Sequence, residues 1–278
     1  MQENVVTLSL KEEGVEYKMY LPFKETDYIQ KIINATKQPY EYEMLQAMLK
    51  RLQKGSVVLD VGMNIANHSL FFAANGYKVI AFEANPKMSA IAKKSIQLNK
   101  FEKAIKVYEM GVSNCEEVAH FANEIPHNFG AMSLTQGESC GGGGIICKPL
   151  DALNLKEKIT AMKIDVEGME HKVLEGARKL IAKNRPLIYA EALFVQDFVR
   201  VERILEGMEY VCWDTFGVSP THLFLPLESV SEKQIAAKNA AKLALVQLHH
   251  SGEKQASFTN LAFDAIYKEI VELKQNLK

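Results

Sequence analysis

No sign of charge dominates this sequence. Its 278 residues carry 33 Lys and Arg against 34 Asp and Glu, a formal net charge of -1. A surface built to grip nucleic acid carries a basic excess, which is missing here. Long apolar runs are missing too. Stretches such as Leu70 to Ala74 fall far short of the roughly 20 residues that cross a bilayer, so no membrane span is expected. The start, Met1-Gln2-Glu3-Asn4, is polar and lacks the apolar stretch of a secretory signal. A cytoplasmic location is the expectation. The four cysteines (Cys115, Cys140, Cys147 and Cys212) show no C-x-x-C spacing. That argues against a zinc or disulfide framework and for reduced thiols.

What is present is the composition of a folded protein: 47% hydrophobic and 24% charged residues. At about 150 residues per domain, the length suits two domains, or one large α/β domain with extensions. The texture suggests three parts: a hairpin and helices over 1–54, a core domain over 55–228, and a helical extension over 229–278. In the first part, Val5 to Leu10 and Val15 to Tyr20 bracket Glu12-Glu13-Gly14 and read as a hairpin. Asp27 to Ala35 and Glu41 to Gln53 have helical spacing, with Pro39 between them.

From Gly55, continuous apolar runs alternate with helical patterns. Val57 to Val61 reads as a strand buried on both faces and Val79 to Phe82 as a second buried strand, with Ile105 to Met110, Ala161 to Val166 and Leu187 to Ala190 as three more strands. Tyr210 to Trp213 and Leu223 to Leu227 read as a closing pair. Asn85-Pro86 opens a helix, with Asn as cap and Pro in the first turn. One helix is expected to carry Met169, Val173, Leu174, Ala177, Leu180 and Ile181 on one face. The fold class is therefore α/β: a doubly wound, mainly parallel, Rossmann-like sheet. Between Asn114 and Leu150 the rhythm breaks. Val118 to Ala122 reads as a strand, and His127 to Lys148, with its run of glycines from Gly141 to Gly144, as a long loop. Near the end, Ser231 and Gln234 suit a capping box. Ile266, Ile270, Leu273 and Leu277 form a stripe that either packs on the domain or makes a homodimer contact.

Ligands of such sheets bind at the carboxyl ends of the strands. After the first core strand comes Asp60-Val61-Gly62-Met63-Asn64, a turn leading into a helix whose free N–H groups favour an anion. Glu83 ends the next strand, 23 residues after Asp60. An acid there can accept hydrogen bonds from both hydroxyls of a ribose. A nicotinamide dinucleotide would call for G-x-G-x-x-G, yet Asn64 and Ala66 stand where later glycines belong. Asp60 would also repel a pyrophosphate. S-adenosylmethionine carries an ammonium, a carboxylate and a sulfonium, so an acid in the first loop suits its cationic end. The charges favour this cofactor.

Val57 to Ala66, with Ala81-Phe82-Glu83-Ala84-Asn85-Pro86, resembles the opening motifs of the FkbM family of S-adenosylmethionine-dependent methyltransferases. Lys163-Ile164-Asp165-Val166-Glu167-Gly168-Met169-Glu170, followed by Val173 to Ala177, is similar to that family's most characteristic motif. Asn99 and Leu150-Asp151-Ala152-Leu153 also match. Met63 and Ala66 depart from the usual alanine and glycine. The resemblance covers about Glu41 to Glu191.

It implies that Asp60, Gly62, Met63 and Asn64 hold the amino-acid end of the cofactor, and that Glu83 and Ala84 hold the ribose. Gly111, Val112 and Asn114 would meet the adenine. Asp165 would lie beside the transferred methyl group as the base for a hydroxyl acceptor on a sugar, a glycan or a secondary metabolite. Glu167 and Glu191 could converge with Asp165 on a divalent metal such as magnesium, or on a sugar hydroxyl. Lys163, two residues before Asp165, points to the same face and can pair with a carboxylate. Glu170 suits a helix start on charge grounds alone. His68 and His171 occupy ordinary helix positions, and His127 to Gly130 would border the acceptor. Competing readings are an NAD(P)-dependent oxidoreductase, which lacks its glycines here, and an inactive binding protein. Acids at the ends of four strands speak against the latter.

Overall fold

The computed structural model describes residues 2–121, 134–136, 144–237 and 240. By contacts the chain forms two compact units, Met1–Pro226 and Leu227–Lys278. The first opens with an antiparallel hairpin of β1 (Val5–Leu10) and β2 (Val15–Tyr20). Its inward side chains, Val6, Leu8, Leu10, Tyr17 and Met19, are buried. Helix α1 (Tyr28–Thr36) starts at Asp27, whose carboxylate accepts the Gln30 N–H at 3.0 Å. Helix α2 (Tyr42–Leu49) follows.

The core alternates β3 (Val57–Val61), α3 (Asn67–Ala74), β4 (Lys78–Phe82), α4 (Pro86–Leu98) and β5 (Ile105–Tyr108). Asn99 ties the hairpin to α4. Its side chain accepts the Lys18 N–H at 2.8 Å and donates to the Lys18 carbonyl at 2.7 Å. The chain then leaves the main sheet for a smaller one. Strands β6 (Gly111–Val112), β7 (Glu117–Phe121), β8 (Leu134–Gln136) and β9 (Ile145–Lys148) lie there in the order β6-β9-β7-β8. So the third core strand stops at Tyr108 rather than Met110. The expected loop over 127–148 contains two strands, because Cys147 and Lys148 pair with Gly111 and Val112. His127 to Gly130 and Cys140 lie outside the described residues.

Strand β10 (Ile159–Ile164) returns to the main sheet and leads to α5 (Glu170–Glu175) and α6 (Arg178–Asn184). These are two helices where one was expected. The break falls at Gly176, packed so tightly that a Cβ would stand 2.1 Å from the Ser113 carbonyl oxygen. The Asp151 carboxylate then accepts the Lys179 and Leu180 N–H groups at 2.9 and 2.8 Å, capping the second helix. Such a cap contributes about 1 kcal/mol. β11 (Leu187–Glu191), α7 (Val195–Glu206), β12 (Tyr210–Phe216) and β13 (Thr221–Pro226) complete the unit.

The seven-stranded sheet runs β12-β13-β11-β10-β3-β4-β5. From β11 to β5 every pair is parallel, while β13 is antiparallel to both neighbours. The direction of winding changes between β3 and β10, which opens a crevice at their carboxyl ends. Strand residues such as Leu59, Ile80, Met162 and Ile188 are buried with Val173, Leu174 and Ile181 from α5 and α6. Each such side chain contributes roughly 1.5–3 kcal/mol on burial.

In the second unit, Ser231 and Gln234 form the expected capping box: the Ser231 N–H donates to Gln234 Oε1 at 2.9 Å, and the Gln234 N–H to Ser231 Oγ at 3.3 Å. The Ile266–Leu277 stripe lies outside the described residues. Among those described, no helix is long and apolar enough to cross a membrane.

Candidate active site

A cavity of about 310 Å³ opens at the crevice. This lies within the range of small-molecule sites, roughly 300–1,000 Å³. One half lies over β3, β4 and β5 and is lined by Gly62, Asn64, Glu83, Ala84, Met88 and the segment Met110 to Val112. The other lies over β10, β11 and β13 and is lined by Asp165, Glu167, Glu191, Leu193 and Ser219. Tyr28, Ile29, Tyr40 and Glu41 from the N-terminal helices close it.

The turn after β3 is held from below. Gly62 has φ +84, and a Cβ there would stand 1.8 Å from the Asp165 carbonyl oxygen. Only glycine fits such an approach. The Asp165 N–H donates to the Val61 carbonyl at 3.0 Å, and the Gly62 and Met63 N–H groups donate to Phe82. Asn64 and Ala66 also take left-handed conformations, with φ 53 and 66. At Ala66, where the resembling family has glycine, a side chain accepts strain that glycine would avoid.

Asp60 does not line the cavity. It stands beside Lys163 in the parallel register and is 1% exposed. Its carboxylate accepts the Ser69 hydroxyl at 2.6 Å and lies 3.9 Å from the Lys163 ammonium. That ammonium is 2.9 Å from Asp165 and donates to the Gly62 carbonyl at 3.1 Å. Met63 is buried away from the cavity as well. Asn114 is exposed, outside the lining, and donates to Glu175 at 2.8 Å. Gly111 and Val112 remain in the lining without it.

Glu83 keeps a place in the wall while serving the backbone. Its two oxygens accept the Asn64 and Asn85 N–H groups at 2.6 and 2.7 Å. Burial pushes its carboxyl up to about 7, against the lowering effect of those bonds. Each oxygen retains a second lone pair for a hydroxyl.

The carboxylates of Asp165, Glu167 and Glu191 each offer an oxygen within 4.8 Å of the others. That spacing suits a divalent cation or a polyol. Burial acts to raise Asp165, but the Lys163 ammonium and the bond from Glu191 outweigh it and hold Asp165 below the ordinary carboxylate range. Burial and the Asp165 charge push Glu191 up to about 9, and it also accepts the Ser219 hydroxyl. Burial, then Asp165, lifts Glu167 to about 7. The opposed shifts mean that Asp165 and Glu191 together share one proton at neutral pH, drawn toward Glu191. Lys163 stays charged, because its carboxylate neighbours overcome the effect of burial.

Glu170 is not part of this cluster. It is buried, and one oxygen accepts the Val166 and Gly168 N–H groups at 3.0 and 3.2 Å. It fixes the turn that presents Glu167. His68 lies 3.0 Å from Glu41, and His171 is outside the lining, with its pKa lowered by burial.

These shifts set the pH dependence of stability. Carboxyls raised in the folded state favour folding below their ordinary value, and lose that contribution as pH rises through the folded value. Glu83, Glu167 and Glu191 all behave so, up to about 9. His171 and His222, lowered by burial, oppose them only below 6.5. Urea midpoints should therefore rise as pH is lowered from 9 to 6.5. A midpoint that falls over that interval would contradict the buried state of the three acids.

Fold and crevice together define a Rossmann-like α/β protein with a small-molecule cavity where its winding changes direction. The chain belongs to the methyltransferase FkbM domain family, whose model matches residues 60–212. Its fold is similar to that of a methyltransferase FkbM from Methylobacillus flagellatus, at 18% identity and a TM-score of 0.50. That match covers 68% of this chain and 48% of the other, so the chain spans about half the length of that relative. Lower similarity extends to precorrin-6y C5,15-methyltransferase from Geobacter metallireducens, with 14% identity, TM-score 0.42, and 66% and 86% of the two chains covered. A Pyrococcus abyssi tRNA (uracil-54, C5)-methyltransferase in complex with S-adenosyl-L-homocysteine gives 12% identity, TM-score 0.42, and coverage of 80% and 42%. No match was found among curated proteins.

Tyr28, Tyr40, Glu41 and Ser219 were not anticipated from sequence. They approach from segments remote in the chain, and no local pattern marks them.

Proposed function

We propose that this protein is an S-adenosylmethionine-dependent O-methyltransferase whose acceptor hydroxyl belongs to a sugar, a glycan or a secondary metabolite. The supporting observation is the division of one cavity: Gly62 and Glu83 at one end, Asp165, Glu167 and Glu191 at the other. Membership of the FkbM family supports the cofactor. The acceptor class rests on the motif around Asp165 and on three carboxylates spaced to receive hydroxyl groups.

The residues suit the cofactor's chemistry. Glu83 can accept from the ribose hydroxyls, and Met88, Met110 and Val112 give an apolar bed for the adenine. When bound, the sulfonium supplies an electrophilic methyl group. The chain's part is to align the acceptor oxygen with it, a contribution worth on the order of 7–11 kcal/mol. An alcohol also needs its proton accepted as it attacks. This reading assigns the proton to Asp165, which lies beside Lys163, with Glu167, raised to about 7, as the second acceptor. Glu191 keeps its proton and steadies Asp165.

Acceptor extracts incubated with methyl-labelled cofactor should yield a labelled product bearing a new methyl ether. Asp165→Asn should lower turnover by about a hundredfold or more, with affinity for S-adenosylhomocysteine changed by only a few-fold. Turnover equal to wild type would remove Asp165 from the reaction.

A further inference from the structure

The cofactor's amino-acid tail carries an ammonium, and Asp60, the acid expected to meet it, does not line the cavity. Asp60 is turned inward onto Ser69 and Lys163. Another carboxylate must serve if the function proposed above holds, and the inference here rests on that reading.

Glu41 is the acid in position. It lines the cavity with Gly62, Asn64 and Asp165. Its side chain is 11% exposed, where that of Asp60 is 1% exposed. Although Glu41 is the residue that precedes α2, its side chain does not cap that helix. Instead its backbone is left-handed, with φ 58, an unfavourable conformation for glutamate that must be held by its surroundings.

Asn67 of α3 supplies the hydrogen bonds that hold the segment, and His68 packs beside it. Asn67 accepts the Tyr40 N–H at 3.0 Å and donates to the Tyr40 carbonyl at 2.9 Å. His68 Nε2 lies 3.0 Å from Glu41 Oε2. The pair Tyr40-Glu41 is thereby fixed to the helix that follows the Gly62 turn.

We propose that Glu41, from the segment ahead of the family-matched residues, receives the α-ammonium of S-adenosylmethionine. The N-terminal helices are then part of the cofactor site rather than only a covering. A charge-assisted hydrogen bond of this kind accounts for about a tenfold to a hundredfold change in affinity.

Calorimetric titration with two probes tests this. S-adenosylhomocysteine has the amino-acid tail, and methylthioadenosine lacks it. Glu41→Gln keeps the size and backbone preference of the residue. It should weaken S-adenosylhomocysteine by at least tenfold and leave methylthioadenosine within about twofold. Equal losses for both probes would make Glu41 a structural residue and overturn the proposal. Loss for neither probe would also overturn it, while leaving the methyltransferase reading intact. Wild-type protein that binds neither probe would overturn both.

Discussion

Gly62→Ala is expected to destabilise the protein by about 3–5 kcal/mol, a value at the upper end for a single substitution, and to abolish cofactor binding. The added methyl group would sit 1.8 Å from the Asp165 carbonyl oxygen. That oxygen cannot withdraw easily, because the Asp165 N–H is bonded to the Val61 carbonyl and β10 is paired with β3 up to Ile164 and Val61. Separating the strand ends would also break the bond from Lys163 to the Gly62 carbonyl. The left-handed backbone adds about 1–2 kcal/mol for any residue with a Cβ. Urea unfolding measures the first effect and titration with S-adenosylhomocysteine the second. Wild-type values in both would mean that strands β3 and β10 do not approach as closely as described.

Lys163→Met should be nearly as damaging, for an electrostatic reason. The lysine is 4% exposed, with Asp165 at 2.9 Å and Asp60 at 3.9 Å. The Asp165 side chain is 32% exposed and that of Asp60 1%, so the charge left buried is that of Asp60, at a cost of about 3 kcal/mol, the lower end for a broken buried pair. The loss should depend on pH. In the native protein Asp165 lies below its ordinary value of 3.8, so it contributes stability above that value which is lost as pH falls through the folded one. Without Lys163 the main effect holding Asp165 down is gone, so its carboxyl moves up and protonation relieves the variant. The stability deficit should therefore be larger at pH 7 than at pH 5, and adding Asp165→Asn should recover part of it. A deficit that grows toward acid would contradict the pairing.

Much of the fold was legible because it is written locally. Five short apolar-rich segments between helical patterns marked the parallel strands, and Asn85-Pro86 marked the start of α4. The strand ends then placed Gly62, Glu83, Asp165 and Glu191 at one crevice, and all four line it. What escaped depends on register and on distant contacts. Asp60 and Asp165 look alike in sequence, each near the end of an apolar strand. Pairing Asp60 with Lys163 across β3 and β10 turns it inward, and no pattern within either strand reports that. Asn114 stands outside the cavity lining, where the approach of α5 gives it Glu175 as partner. The split at Gly176 follows from Ser113, 63 residues earlier. Likewise Glu41 lines the crevice from a segment that Asn67 ties to α3.

The most direct test of the account is a crystal structure of the protein with S-adenosylhomocysteine. The ribose hydroxyls should lie within hydrogen-bond distance of Glu83, the adenine against Met88 and Val112, and the sulfur facing Asp165, with the tail over Gly62. A nucleoside bound outside this crevice, or inverted so that the adenine occupies the end lined by Asp165 and Glu191, would contradict it.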